Sequence, residues 1–376
     1  MWREAGRWPI VVGPMIVAYV SGHGYGHATR VGEVLRAARA LDPDVPIAVV
    51  TSGPERLYRA AVPGPFEFKS IECDVGLVQK GALVMDEAAT VAKWLAFVER
   101  DAERVTDEAR WLRGAGARVV LGDIPPLAFS AAARAGVPSV GLSNFSWDWI
   151  YRYMAPRQPG LAEAAEWAAE SYRRCGLLLQ LPFAGDLSAF PRREEIPLVA
   201  RSPRATREDA RRLLDLPDGP LALVSFGGLG LPGFDPGVLE EVAGWNFLMT
   251  GLETANATDG PVNATDIDLG RLGALGLGYA DLVGAVDVCV TKPGYGIVSD
   301  AIAARTRMVY TERGDFPEYP ILVDQMARWL PSRHVSNADL RAGRLQDALD
   351  AVMADPFPSL PDMSGAERAA RRLLAA

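Results

Sequence analysis

Cysteine, histidine and lysine are all scarce in this chain of 376 residues. The cysteines are Cys73, Cys175 and Cys289, far apart and without a CxxC pair. That pattern excludes a disulfide framework and a cysteine-based zinc site, and it fits a reducing, cytoplasmic setting. The histidines are His23, His27 and His334, too few for a His-rich metal site. Of the 39 basic residues four are lysines: Lys69, Lys80, Lys93 and Lys292. No apolar run reaches the roughly 18–20 residues that cross a bilayer, so no integral membrane contact is expected. Residues 1–20 imitate a signal peptide, but Gly13 and Pro14 interrupt the apolar stretch and no small-residue cleavage site follows. They read as a short extension before a first strand, with Met15 as an alternative start.

What is present describes an ordinary globular enzyme. At roughly 150 residues per domain the length predicts two to three units, each able to bury its own core. The formal net charge of −8 argues against a general nucleic-acid binder, which carries a basic face. Short β-branched runs alternate with Ala/Leu/Arg/Glu stretches. Strands are expected at 15–20, 46–51, 118–121 and 138–142, with helices at 28–40, 86–113 and 128–135. That βαβα order predicts a parallel sheet covered on both faces. Prolines and charges crowd 182–220, read as the end of one unit and the link to the next. Strands at 221–226, 286–291 and 308–310, with a helix at 296–304, predict a second doubly wound unit. The tail at 366–376 reads as a helix. The division expected is 1–185, a connecting segment at 186–220, 221–360, and a C-terminal helix in 361–376. In such sheets ligands bind beyond the carboxyl ends of the strands.

Four segments fall at those ends. The first is Ser21-Gly22-His23-Gly24-Tyr25-Gly26-His27-Ala28-Thr29-Arg30, between a strand and a helix. Its glycines permit a tight turn, and the helix start offers free N–H groups to an anion. It is not a dinucleotide fingerprint: the third glycine is one residue early, and the next strand ends without an acidic ribose ligand. Two readings stand, a turn whose histidines cap and pack, or a cleft in which His27 or His23 acts as a general base. The second is Gly122-Asp123-Ile124-Pro125-Pro126, where Asp123 either caps the next helix or orients a histidine. The third, Ser143 to Tyr153, holds Asn144, Trp147 and Asp148 among aromatics that serve either as core or as a platform for a sugar or other flat acceptor. The fourth is Lys292-Pro293-Gly294-Tyr295-Gly296-Ile297-Val298-Ser299-Asp300. Its glycines let a pyrophosphate approach the backbone, Lys292 adds charge, and Asp300 can take ribose hydroxyls. Gly227-Gly228-Leu229-Gly230 would form a second wall of that pocket.

Taken together, the stretches SGHGYGHATR, GDIPPLAFSAA, SNFSWDWIY, VSFGG and KPGYGIVSDAI resemble the glycosyltransferase-like N-terminal half of plant L-arabinokinases and its free-standing bacterial relatives. The resemblance implies an α/β chain of the GT-B type, two doubly wound Rossmann-like domains facing a central cleft. The sugar-kinase half has no counterpart, since a Pro-xxx-Gly-Leu-Ser-Ser-Ser-type phosphate loop is missing. More distantly the chain is similar to the lipid-linked GlcNAc transferase of peptidoglycan synthesis, which implies Asp300 as ribose ligand in place of a glutamate, and Glu318 on the donor sugar. The GYGHATR segment also resembles the GFGH loop of nucleotide-sugar hydrolases, where a histidine at the position of His27 activates water.

These resemblances imply an inverting transferase that needs no metal and no cofactor beyond its nucleoside-diphosphate sugar. His27, oriented by Asp123 and with His23 as a second candidate, would deprotonate an acceptor hydroxyl. Gly227, Gly228, Lys292, Pro293, Gly294, Tyr295, Gly296, Ser299 and Asp300 would hold the nucleotide. Gly24, Tyr25, Asn144, Trp147, Asp148 and Glu318 would face the sugar and a small-molecule or glycan acceptor. A hydrolase using water, and a non-catalytic nucleotide-sugar-binding protein, are the alternatives.

Overall fold

The computed structural model describes residues 14–79, 85–227, 231, 233–250 and 263–376. The first unit holds seven parallel strands: β1 (Met15–Val20), β2 (Ile47–Thr51), β3 (Glu67–Ser70), β4 (Ala117–Asp123), β5 (Ser139–Ser143), β6 (Leu177–Gln180) and β7 (Arg193–Glu195), in the order β3-β2-β1-β4-β5-β6-β7. The second holds six described strands: β8 (Leu221–Ser225), β9 (Asn246–Thr250), β10 (Ala264–Asp266), β11 (Val288–Thr291), β12 (Arg307–Tyr310) and β13 (Ser332–His334), ordered β10-β9-β8-β11-β12-β13. Both are doubly wound, as expected.

The central strands β1, β2, β5, β8 and β11 are buried along their whole length. Their unbroken apolar runs follow from helices covering both faces. The edges differ in kind. β3 carries Glu67 and Lys69, and β7 is Arg-Glu-Glu, the charged, short edges that discourage pairing with another chain.

Strand order reverses between β1 and β4, and again between β8 and β11. At such switch points the loops leave in opposite directions and open a crevice. The loops after β1, β4, β8 and β11 are three of the four motif segments and the Gly227 wall.

Two expectations need correction. The helical stretch 86–113 is two helices, Glu87–Val98 and Asp101–Gly114. The segment 186–220 is more than a link: it supplies β7 to the first sheet and the helix Arg207–Leu214 to the second unit. The C-terminal helix, Gly365–Leu374, returns to the first unit. It packs on the helix Tyr25–Leu41, Arg118 donates to the Leu374 carbonyl, and Arg372 pairs with Glu194 at 2.7 Å.

Candidate functional site

The loop after β1 is tied down at its start by the Ser21 N–H donating to the Asp123 carbonyl at 2.8 Å. Gly24, with φ +82°, then turns the chain into the helix Tyr25–Leu41. His27 falls in the first turn of that helix and is buried. Asp123 is the last residue of β4 and 0% exposed. It does not cap the following helix, which starts at Pro126 with Pro125 before it and no side-chain cap. Its Oδ1 lies 2.9 Å from His27 Nδ1.

Burial alone would raise the Asp123 pKa, but the Arg30 guanidinium and His27 outweigh it and hold the carboxyl below its ordinary value. An ionised carboxylate only accepts. The contact therefore requires Nδ1–H as donor, which leaves the lone pair of neutral His27 on Nε2.

Arg30 is the residue that sequence reading passed over. Its Nε donates to Asp123 Oδ2 at 2.6 Å and its Nη2 to Oδ1 at 2.5 Å, a two-toothed grip. Nη1 reaches Asn144 Oδ1 at 2.8 Å. The available signal was spacing: Arg30 follows His27 by three on one helix, the separation that puts two side chains on one face.

His23 forms a second, looser pair. Its Nε2 is 3.7 Å from Asp74 Oδ1, too far for a direct hydrogen bond. Burial lowers the His23 pKa against the opposing pull of Asp74. Its ring rests on Gly76, where φ is +57° and a Cβ would come within 2.1 Å of the imidazole. No residue but glycine fits both the backbone and the space.

The third segment is a packed wall rather than an open platform. Trp147 is buried, donates from Nε1 to Asp74 Oδ2 at 2.9 Å, stacks on Tyr151 and meets Phe145 edge-on. Asp148 is buried in the first turn of the helix Trp147–Met154, with Oδ2 on Arg152 and its pKa pushed up by burial. Asn144 is buried too, accepting from Arg30 and donating to Glu318 Oε1 at 2.7 Å. None of these three presents a free face to a sugar. Gly24 and Tyr25 do lie at the rim; Tyr25 is 37% exposed and its hydroxyl accepts from Arg56 at 3.3 Å.

On the opposite side β11 leads through Lys292, Pro293 and Gly294 into the helix Tyr295–Ala304. The two helix starts confront each other. A Cβ on Gly296 would lie 3.4 Å from Gly26 Cα, so the two helix starts, each with first-turn N–H groups that lack an intrahelical acceptor, stand side by side. Burial lowers the Lys292 pKa to about 8, with Arg313 adding to the shift. Lys292 beside this helix start suits an anionic ligand, while the Arg313 guanidinium is already paired with Glu318 at 2.7 Å. Gly227 leaves β8 with φ +73° and is exposed. Gly228, Leu229 and Gly230 lie outside the described residues. Ser299 Oγ donates to the Gly296 carbonyl at 2.9 Å, which fixes the helix start.

Three donor-side expectations change. Asp300 is buried and its carboxylate is occupied by Arg201, whose backbone N–H, Nε and Nη2 all donate to it. It pins the segment joining the two sheets, and no free oxygen is turned to a ribose. Tyr295 faces the first unit: its ring lies 5.2 Å from Arg30 and edge-on to Phe183, and its hydroxyl accepts from the Val199 N–H. Glu318 is buried, held by Asn144 and by Arg313 Nη1 at 2.7 Å. Asp315, beside it in the loop, pairs with Arg157 at 2.8 Å and with the Tyr153 hydroxyl. The loop after β12 thus touches the first unit at several points. Among the described residues no group of three or more His, Cys, Asp or Glu is placed to hold a metal ion.

No family model matches the chain. It is 31% identical over 344 residues to L-arabinokinase of Arabidopsis thaliana, a match covering 89% of this chain and 32% of that protein. The chain spans about a third of the length of this curated relative. Among solved structures it is similar to UGT89C1 of Arabidopsis thaliana complexed with UDP, with a TM-score of 0.60, 12% identity, and 96% of this chain and 99% of that chain covered. It is also similar to CalG4, the calicheamicin glycosyltransferase (TM-score 0.57, 17% identity, 96% and 94% covered). MurG of Acinetobacter baumannii aligns at a TM-score of 0.54 and 13% identity, over 96% of this chain and all of that one (100%).

Proposed function

On the premise of a GT-B fold, which two doubly wound sheets and these structural likenesses establish, we propose that the chain is an inverting, metal-independent glycosyltransferase. It would move a sugar from a nucleoside diphosphate to a hydroxyl acceptor. The observation that carries this reading is the buried His27–Asp123 contact at the switch point of the first sheet, opposite the helix start at Gly294–Gly296.

In that geometry His27 Nε2 takes the acceptor proton while Asp123 keeps the ring in one tautomer. The oxygen so freed attacks the anomeric carbon from the side opposite the leaving group, and one displacement inverts the centre. The diphosphate departs towards the N–H groups at the start of the Tyr295–Ala304 helix, where Lys292 adds positive charge. Tyr25 and Gly24 at the rim are the acceptor-side surface. Gly227, Pro293, Gly294, Gly296 and Ser299 shape the nucleotide side.

One observation favours hydrolysis as a second reading. Trp147 and Asp148, expected to receive an organic acceptor, are packed and engaged, and water needs no such surface. The kinase activity in the name of the plant relative is not proposed for these residues, because the match covers 32% of that protein.

A phosphorus NMR time course decides between them. The protein would meet UDP-, GDP- and dTDP-sugars without acceptor, with and without EDTA. Binding without turnover supports the transferase and names its donor. Prompt release of a diphosphate makes hydrolysis the leading reading. Turnover lost to EDTA and restored by a divalent ion would overturn the metal-free mechanism.

A further inference from the structure

Arg30 is 4% exposed and Asp123 is 0% exposed, so two full charges sit out of contact with water. Such a pair persists only when each charge neutralises the other and the remaining hydrogen-bonding positions are filled. Both conditions hold. Asp123 Oδ2 receives Arg30 Nε, and Oδ1 receives Arg30 Nη2 and His27 Nδ1. Arg30 spends its remaining capacity on Asn144 Oδ1 and on Ser143 Oγ, at 2.8 and 3.2 Å, and its Nη2 also stands 3.2 Å from His27 Nδ1. Burial works against the charge on Arg30, yet Asp123 more than compensates and raises its pKa.

The consequence falls on His27. A histidine beside a lone buried carboxylate is driven to its protonated form, because the pair is then neutral. A histidine beside a carboxylate already neutralised by a guanidinium keeps the orienting hydrogen bond without that drive. A base must be uncharged to accept a proton, so the difference decides whether His27 can act. The other charged or titratable groups facing this cluster are His23 and Asp74 on the first unit, Tyr58 behind Asp123, and Tyr295 and the Glu318–Arg313 pair on the second.

We propose that Arg30 is the positioning residue of this site: it neutralises Asp123 so that the carboxylate orients His27 without charging it. Through Asn144 and Glu318 it also joins that arrangement to the loop after β12. The inference rests on His27 as the base, and its test does not need turnover.

Protein labelled with 15N-histidine carries three imidazoles, and His27→Gln identifies the relevant one. Each form is titrated by long-range proton–nitrogen NMR. In Arg30→Met the His27 midpoint should rise by about one pH unit or more. In Arg30→Lys, which keeps the charge and loses the fork, it should rise by less. His334, paired with Glu312 on the second unit at 3.2 Å, should titrate alike in all forms and so report an intact fold. A His27 midpoint in Arg30→Met that is unmoved or lowered, with His334 unchanged, overturns the proposal.

If Arg30→Met does not fold, Arg30→Met/Asp123→Asn removes both charges together. Its His27 midpoint should then lie at or below that of the unaltered protein, and a raised midpoint there overturns the proposal equally. A chain that shows these shifts yet binds no nucleotide sugar would sink the transferase reading alone.

Discussion

Lys292 offers a sharp test of the proposed diphosphate site. Burial and the neighbouring Arg313 bring its pKa to about 8 from an ordinary value of 10.5. A diphosphate placed against it would restore the charge and return the pKa to about 10.5 or above. A cation whose pKa rises on binding supports affinity below the free-state pKa, and that support fades as pH climbs through it. At pH 7 the lysine of the unliganded protein is about nine-tenths protonated, so binding draws in roughly 0.1 proton; at pH 9 it draws in about 0.9. The same linkage makes nucleoside-diphosphate affinity about tenfold weaker at pH 9 than at pH 7. Calorimetry in two buffers of different ionisation enthalpy reads the proton count directly, and Lys292→Met supplies the baseline for protons released by the nucleotide itself. The reasoning fails if the unaltered protein and Lys292→Met show the same proton uptake and the same pH dependence of affinity.

His27→Ala should lower turnover by about 10²-fold or more while nucleotide affinity stays unchanged; equal turnover in a steady-state assay would remove His27 from the mechanism. Asp300→Ala leaves a largely buried Arg201 unpaired and should cost about 3 kcal/mol in denaturant unfolding. Unchanged stability together with lost nucleotide affinity would instead restore the ribose role. Gly76→Ala cannot hold both φ +57° and the His23 ring. It should push that ring toward solvent and raise the His23 titration midpoint, seen by NMR, and an unmoved midpoint would show that the ring is not seated there.

Much of this architecture could be read in advance wherever burial wrote itself into composition. The apolar runs of β1, β8 and β11, each next to a glycine-rich turn, marked the strand ends at which the motif segments fall. His27 with Asp123 was legible for the same reason, since Asp123 closes one buried strand and His27 lies in the turn of helix that follows another. Of the strands that escaped, β3, β7 and β13 are short edges whose polar residues carry no alternation, whereas β6 and β9 are interior runs too short to be told from other apolar segments. Arg30 escaped because charge on a helix normally signals a solvated face, and only the partner 93 positions away reveals it as buried. Asn144, Asp300 and Glu318 were found as residues, but not the partners that hold them. Each is a polar group beside a cleft, and a sequence does not say that its hydrogen bonds are already taken by Arg30, Arg201 and Arg313.

The helix Gly365–Leu374 lies against the helix that carries both His27 and Arg30, and Ala369, Ala370 and Leu373 are buried there. The last residues of the chain are therefore structural neighbours of its first motif. Dissection at residue 220 would not yield an autonomous first half, since the excised piece would lose one wall of its own interior. A fragment meant to isolate that half should carry 365–374 in trans or by circular permutation. Recovery of cooperative unfolding when the peptide is added back would show that the two ends of the chain fold as one body.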